Sequence, residues 1–164
     1  MSRNSPSVVF DTPAGQVVRY ATAATTAITL DRETHSNRLV LYDVVCTGAS
    51  ITFSLPQSTG SGDKYEIVNN AIQTVNLVVA AWSTDVFAGI ARLFPGGAST
   101  VAMLVDVFHS TATSDKYTFN FTTSGGLRGD RFEAWDISSG TWYVQIHATI
   151  LSANAAGATG FAAS

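Results

Sequence analysis

The sequence predicts an all-β fold: an antiparallel sandwich or barrel of about eight to ten short strands with an extended N-terminal arm. Three observations predict it. Short runs rich in β-branched and aromatic residues recur between Gly, Asn, Ser and Thr clusters. Several of these runs alternate strictly, which marks half-buried strands. Helical periodicity is weak: "NNAIQTVNLVVAAW" admits a helix, but Val75, Leu77 and Val79 alternate and are mostly β-branched.

Residues 1–24 read as the arm. A short apolar triplet, Val8-Val9-Phe10, lies between Pro6 and Pro13, and prolines resist a central strand and stiffen an extended path. The triplet is therefore a candidate interface, expected to pack on a neighbour rather than on its own core. The β domain follows over 25–151. Its strands are expected at "RLVLYDVV" (38–45), "SITFSL" (50–55), "KYEIVNN" (64–70), "TVNLVVAA" (74–81), "STVAMLVDVF" (99–108), "KYTFNFT" (116–122), "DRFEAWDI" (130–137) and "TWYVQIHATIL" (141–151). Within them, Tyr117, Phe119 and Phe121 are expected on one face. Trp142, Val144, Ile146 and Ala148 are expected to oppose Tyr143, Gln145, His147 and Thr149. Residues 152–164 form an Ala/Gly-rich tail, and no Asp, Glu, Lys or Arg follows Asp136. Such a tail is expected either to be flexible or to lie on a neighbour.

Composition bounds the function. The 164 residues are 46% hydrophobic and only 13% charged, about half the usual charged share, and Ser and Thr together supply 37 of them. Hydroxyls and amides must wet most of the surface, and some apolar surface is expected to be covered by other copies. The net charge of −3, with two lysines, disfavours nucleic acid and anionic membranes as partners. No signal-peptide pattern and no spanning apolar run are read. Cys46, the one cysteine, is read as a small buried hydrophobe.

One pattern occurs twice. Gly62-Asp63-Lys64-Tyr65-Glu66 and Gly129-Asp130-Arg131-Phe132-Glu133 share glycine, aspartate, base, aromatic and glutamate. Glycine supplies a positive φ, aspartate bonds the local backbone, and a strand leaves with its aromatic on one face. Gly62, Asp63, Gly129 and Asp130 are therefore read as turn-structural residues. "SDKYTF" (114–119) is a third, partial copy, and Arg-Gly-Asp at 128–130 needs no role beyond the turn. His35, His109 and His147 lack metal-ligand spacing, no serine sits in a GxSxG elbow, and "STGSGDK" has glycines in the wrong order for a phosphate loop. No catalytic, metal or cofactor-binding residues are expected, and the chain is not read as an enzyme.

The order of segments resembles small capsid decoration (cement) proteins of tailed bacteriophages. The residues that carry the resemblance are Ile28-Thr29-Leu30, Asn37-Arg38, Leu55-Pro56, Thr59-Gly60-Ser61-Gly62, Gly129-Asp130 and Trp142-Tyr143-Val144, over roughly 27–146. Phe53-Ser54 stands where a Thr usually precedes Leu-Pro, and Cys46 is atypical. The resemblance implies a homotrimer bound to the major capsid protein on the outer face of a virion shell, made in the host cytoplasm, stabilising the capsid and carrying no catalytic residues. The rival reading is a receptor- or carbohydrate-binding module of a phage tail fibre or spike, with a host-surface glycan as partner. There Trp82, Trp135 and Tyr143 would stack on sugars, although each is first read as a core residue.

Overall fold

The computed structural model describes residues 8–10, 17–20, 26–43, 49–71, 73–96, 105–151 and 160–163. Two packed sheets hold nearly all of the regular structure. The larger runs in the order β1 (Val8–Phe10), β2 (Val17–Tyr20), β4 (Arg38–Tyr42), β6 (Lys64–Asn69), β11 (Arg131–Ser138), β12 (Thr141–Ile150), β8 (Val86–Pro95) and β9 (Asp106–His109). The smaller runs β13 (Phe161–Ala162), β10 (Lys116–Phe119), β7 (Leu77–Ala80), β5 (Ile51–Ser54) and β3 (Ala27–Thr29). A single helical turn, α1 (Arg32–His35), connects β3 to β4. The chain is an all-β sandwich.

Alternation builds the core. On β12, Trp142, Val144, Ile146 and Ala148 are buried, whereas Tyr143 and its same-parity neighbours face outward. Aromatic rings fill the space between the sheets. Tyr42 and Tyr20 of the large sheet meet Phe53 of the small one edge-on, and Tyr117 packs against Phe132. Edge-to-face contacts of this kind suit the ring quadrupoles.

The sheets are mixed, not antiparallel as the alternation suggested. β2–β4, β4–β6, β12–β8, β3–β5 and β5–β7 pair in parallel. Alternation reports which face is buried; it carries no information on partner or direction. The longest pairing joins β12 to β8 over ten residues, although "VFAGIARLFP" is not among the strands expected from the sequence. Gly89 is required by close approach. A Cβ there would lie 1.9 Å from the carbonyl oxygen of Val144 on the adjacent strand.

Both chain ends depart from expectation. β2, inside the expected arm, extends the chain's own large sheet. Val18 is fully buried, and the Arg19 guanidinium pairs with Asp43 beyond β4. β1 continues the sheet as an antiparallel hairpin on β2, Val9 opposite Val18. These pairings correct the expectation that the arm leaves its own subunit. At the other end, β13 pairs with β10, and Phe161 packs edge-on against Tyr117. Residues 160–163 thus belong to the small sheet. Phe121, expected to continue the face of Tyr117 and Phe119, stands outside β10 with φ +66. The Asn120 side chain accepts from the amides of Thr122, Thr123 and Ser124 and turns the chain there. Cys46 lies outside the described residues.

Candidate functional site

The polar centre of the fold is a clasp around Asp136. Phe132, Ala134 and Asp136 share one parity on β11, and all three are buried. A carboxylate in that position needs partners. It takes the amides of Thr59 (2.9 Å) and Gly60 (2.7 Å) on Oδ1, and Ser61 Oγ (2.9 Å) and Arg32 Nη2 (2.8 Å) on Oδ2. Register shifts between Asp136 and Ser138, and this bulge bends β11 at the point where loop 57–63 crosses it. Arg32 comes from α1, whose N-cap is Asp31, accepting from the Thr34 amide at 2.6 Å. Its other nitrogen, Nη1, reaches Asp63 Oδ2 at 2.6 Å, and Nη2 also donates to the Gln57 carbonyl at 2.8 Å. Burial opposes the charge on Asp136, but the two amides and the guanidinium outweigh it and hold the carboxyl well below the usual range. The hydroxyls of Ser61 and Ser36, with Arg32, lower Asp63 in the same sense.

The two glycine–aspartate copies serve different turns. Gly62 and Gly129 have φ of +81 and +95, and a Cβ on either would meet nothing within 4 Å. Backbone conformation, not space, favours glycine at both. Asp63 stays in the clasp at the surface. Asp130 is buried and accepts from the amides of Gly126 (2.6 Å), Leu127 (2.9 Å) and Thr149 (2.8 Å), while its burial pushes its pKa up.

The strands that follow these turns are antiparallel neighbours, so the copies meet head to tail with Glu66 directly opposite Glu133. Two like charges in that register repel. Lys64 relieves them by contacting Glu133 at 2.8 Å and Glu66 at 3.3 Å; Arg131 contacts the same pair at 3.4 Å (Glu66) and 3.8 Å (Glu133). The outcome is a charge-balanced quartet on the outer face of the large sheet.

Beside it lies an open cleft of about 590 Å³. Its floor is a square of four outward neighbours on β11 and β12: Trp135 opposite Tyr143, and Glu133 opposite Gln145. The rings are 5.7 Å apart and tilted by 44°. Lys64 Nζ sits 5.1 Å from the Trp135 centroid, and Gln145 Nε2 donates to the Tyr143 hydroxyl at 2.9 Å. Gly60, Ser61 and Ile137 form the rim. Trp82, 49% exposed, borders a second concavity that Arg32 also lines. The core assignment of Trp82 and Tyr143 is therefore corrected, and Trp135 is only partly buried.

Asp136 and Arg32 escaped the sequence reading, although the inward parity of Asp136 was available as a signal. Val8, Val9 and Phe10 are in neither site; they form β1 at the edge of the large sheet. No group of three or more His, Cys, Asp or Glu suited to a metal occurs among the described residues, and no helix among them is long and apolar enough to cross a membrane. Comparison with protein-family models, curated proteins and solved structures finds no match to this chain.

Proposed function

We propose that this chain is a virion structural protein, a homotrimeric decoration protein that binds the outer surface of a tailed-phage capsid and stabilises the shell. The observation that carries the reading is the β9 edge of the large sheet, which no other described strand covers. Val105 and Val107 are exposed there, and Phe94 of adjacent β8 is exposed beside them. An apolar, unpaired edge needs cover by a neighbouring chain. The ordered motif series supports the same reading. Its Thr59–Gly62 segment and Asn37 bond the Asp136 and Asp63 carboxylates of the clasp, which would give a rigid platform for repeated copies. A protein that binds assembled capsomers, and not separated ones, stabilises the shell by mass action. Trimeric valency raises its apparent affinity. Light scattering should give three times the chain mass, and the protein should co-sediment with undecorated capsids of the parent phage. A monomer at micromolar concentration that stays in the supernatant would overturn the proposal.

A further inference from the structure

We infer that the β11–β12 cleft is a binding site for a neutral pyranose of a glycan. The inference is independent of the decoration reading, since the cleft lies on β11 and β12, two strands away from the β9 edge. The chemistry of the square divides in two. Trp135 and Tyr143 supply the aromatic half, and two tilted rings suit the apolar C–H face of a sugar ring. Glu133 and Gln145 supply the polar half, one strand repeat along. Among the described residues, the ion contacts of Glu133, to Lys64 and Arg131, both use Oε1, and Oε2 of this largely buried carboxylate is the acceptor left for a sugar hydroxyl at the cleft floor. The Tyr143 hydroxyl accepts from Gln145 and keeps its own proton to donate, and the Ser61 hydroxyl adds polarity at the rim. Few polar groups around an apolar floor, in several hundred Å³, is the usual make-up of a small-ligand site.

Charge selects the class of sugar. Lys64 and Arg131 are matched by Glu66 and Glu133 in one quartet, so among the described residues the cations beside the cleft are already paired and not free for a sialic or uronic acid. Lys64 also sits over the Trp135 ring, which fixes that ring without adding a net charge to the cleft. A neutral hexose or N-acetylhexosamine fits this balance; an anionic sugar would meet the Glu133 carboxylate.

The test is saturation-transfer NMR and tryptophan fluorescence on the full chain, with lactose, cellobiose and chitobiose as neutral probes and sialyllactose as the anionic one. At least one neutral probe should bind in the millimolar range or tighter. Trp135→Ala and Tyr143→Ala should each weaken it about ten-fold or more, the scale of one lost base-sized stacking contact. Trp82→Ala, in the other concavity, should leave it unchanged, and Trp135→Phe should keep part of it. Unchanged thermal melting of Tyr143→Ala would separate lost binding from lost fold. Binding to no neutral probe, binding that survives both alanine variants, or preference for sialyllactose would each overturn the inference. Capsid co-sedimentation is scored separately, so either result stands without the other.

Discussion

Replacing Asp136 by alanine tests the reasoning about the clasp most directly. Its carboxylate is 0% exposed and bonds two backbone amides, a serine hydroxyl and a guanidinium. Removing it orphans the Thr59 and Gly60 amides, at about 1–3 kcal/mol for a fully buried group and less here, because loop 57–63 is partly open to water. Breaking a fully buried ion pair from one side costs about 3–5 kcal/mol. Arg32 is a third exposed and keeps Asp63, so its share is smaller. The expected loss is therefore about 2–4 kcal/mol in urea denaturation, a large part of a typical ~5–15 kcal/mol total. Asp136→Asn keeps an acceptor for the amides but loses the charge, and should fall between the two. The pH dependence follows from the depressed pKa. The carboxylate contributes fully above the unfolded value of about 3.9, and its contribution is lost as pH falls toward the folded value. The stability gap between wild type and Asp136→Asn should therefore shrink as pH is lowered from about 5 toward 2. A loss under about 1 kcal/mol for Asp136→Ala, or a gap that does not change with pH, would refute the account.

Gly89→Ala should prevent folding or cost several kcal/mol, because the new Cβ would collide with the Val144 carbonyl; a native-like melting curve would show that β8 and β12 separate easily. Gly62→Val and Gly129→Val meet open space but a left-handed backbone, so each should cost about 1 kcal/mol or more, with no loss on Gly→Asn of the same size. Tyr65→Phe should be neutral or slightly stabilising in chemical denaturation, since its buried hydroxyl has no hydrogen-bond partner among the described residues; a cost above about 1 kcal/mol would mean that the hydroxyl is satisfied. His35 is buried, takes the Asp31 amide on Nδ1 at 3.0 Å and meets the Tyr20 hydroxyl at 2.7 Å; burial lowers its pKa, against the Asp31 carboxylate. A histidine kept neutral in the fold contributes above its unfolded pKa of about 6.5, and that contribution is lost as pH falls through the folded value. Comparing wild type with His35→Gln across that window by thermal melting should show a slope in wild type that the variant lacks.

β12, with clean alternation, was legible because it buries one face only; β11 was less so, since Phe132, Glu133 and Ala134 are buried in succession. β8 was not, because Gly89 signals a break in sequence and a close backbone approach in space. The parallel pairings were hidden for a different reason. A strand's inward residues are the same whichever neighbour it takes. The turn glycines were visible from their local pattern, while the clasp joins Arg32 to Asp136 across 104 positions, a separation no local motif spans. The cleft was half visible. Trp135 and Tyr143 stood out, but their pairing with Glu133 and Gln145 depends on the β11–β12 register.

The parallel join of β12 to β8 bears on how the chain is made. β4 and β6 leave the ribosome early, and β6 needs β11 as its neighbour, more than sixty residues later in synthesis. β8 waits in the same way for β12. Until the last third emerges, two strand borders in the middle of the future sheet stay unpaired, and long loops must close before any central contact forms. Folding should therefore be slow, on the order of milliseconds to seconds, and strongly dependent on an intact C-terminal third. A nascent chain stalled before β11 would carry exposed edges of the kind that aggregate. Completion of synthesis, more than any local propensity, then sets when this sheet can exist.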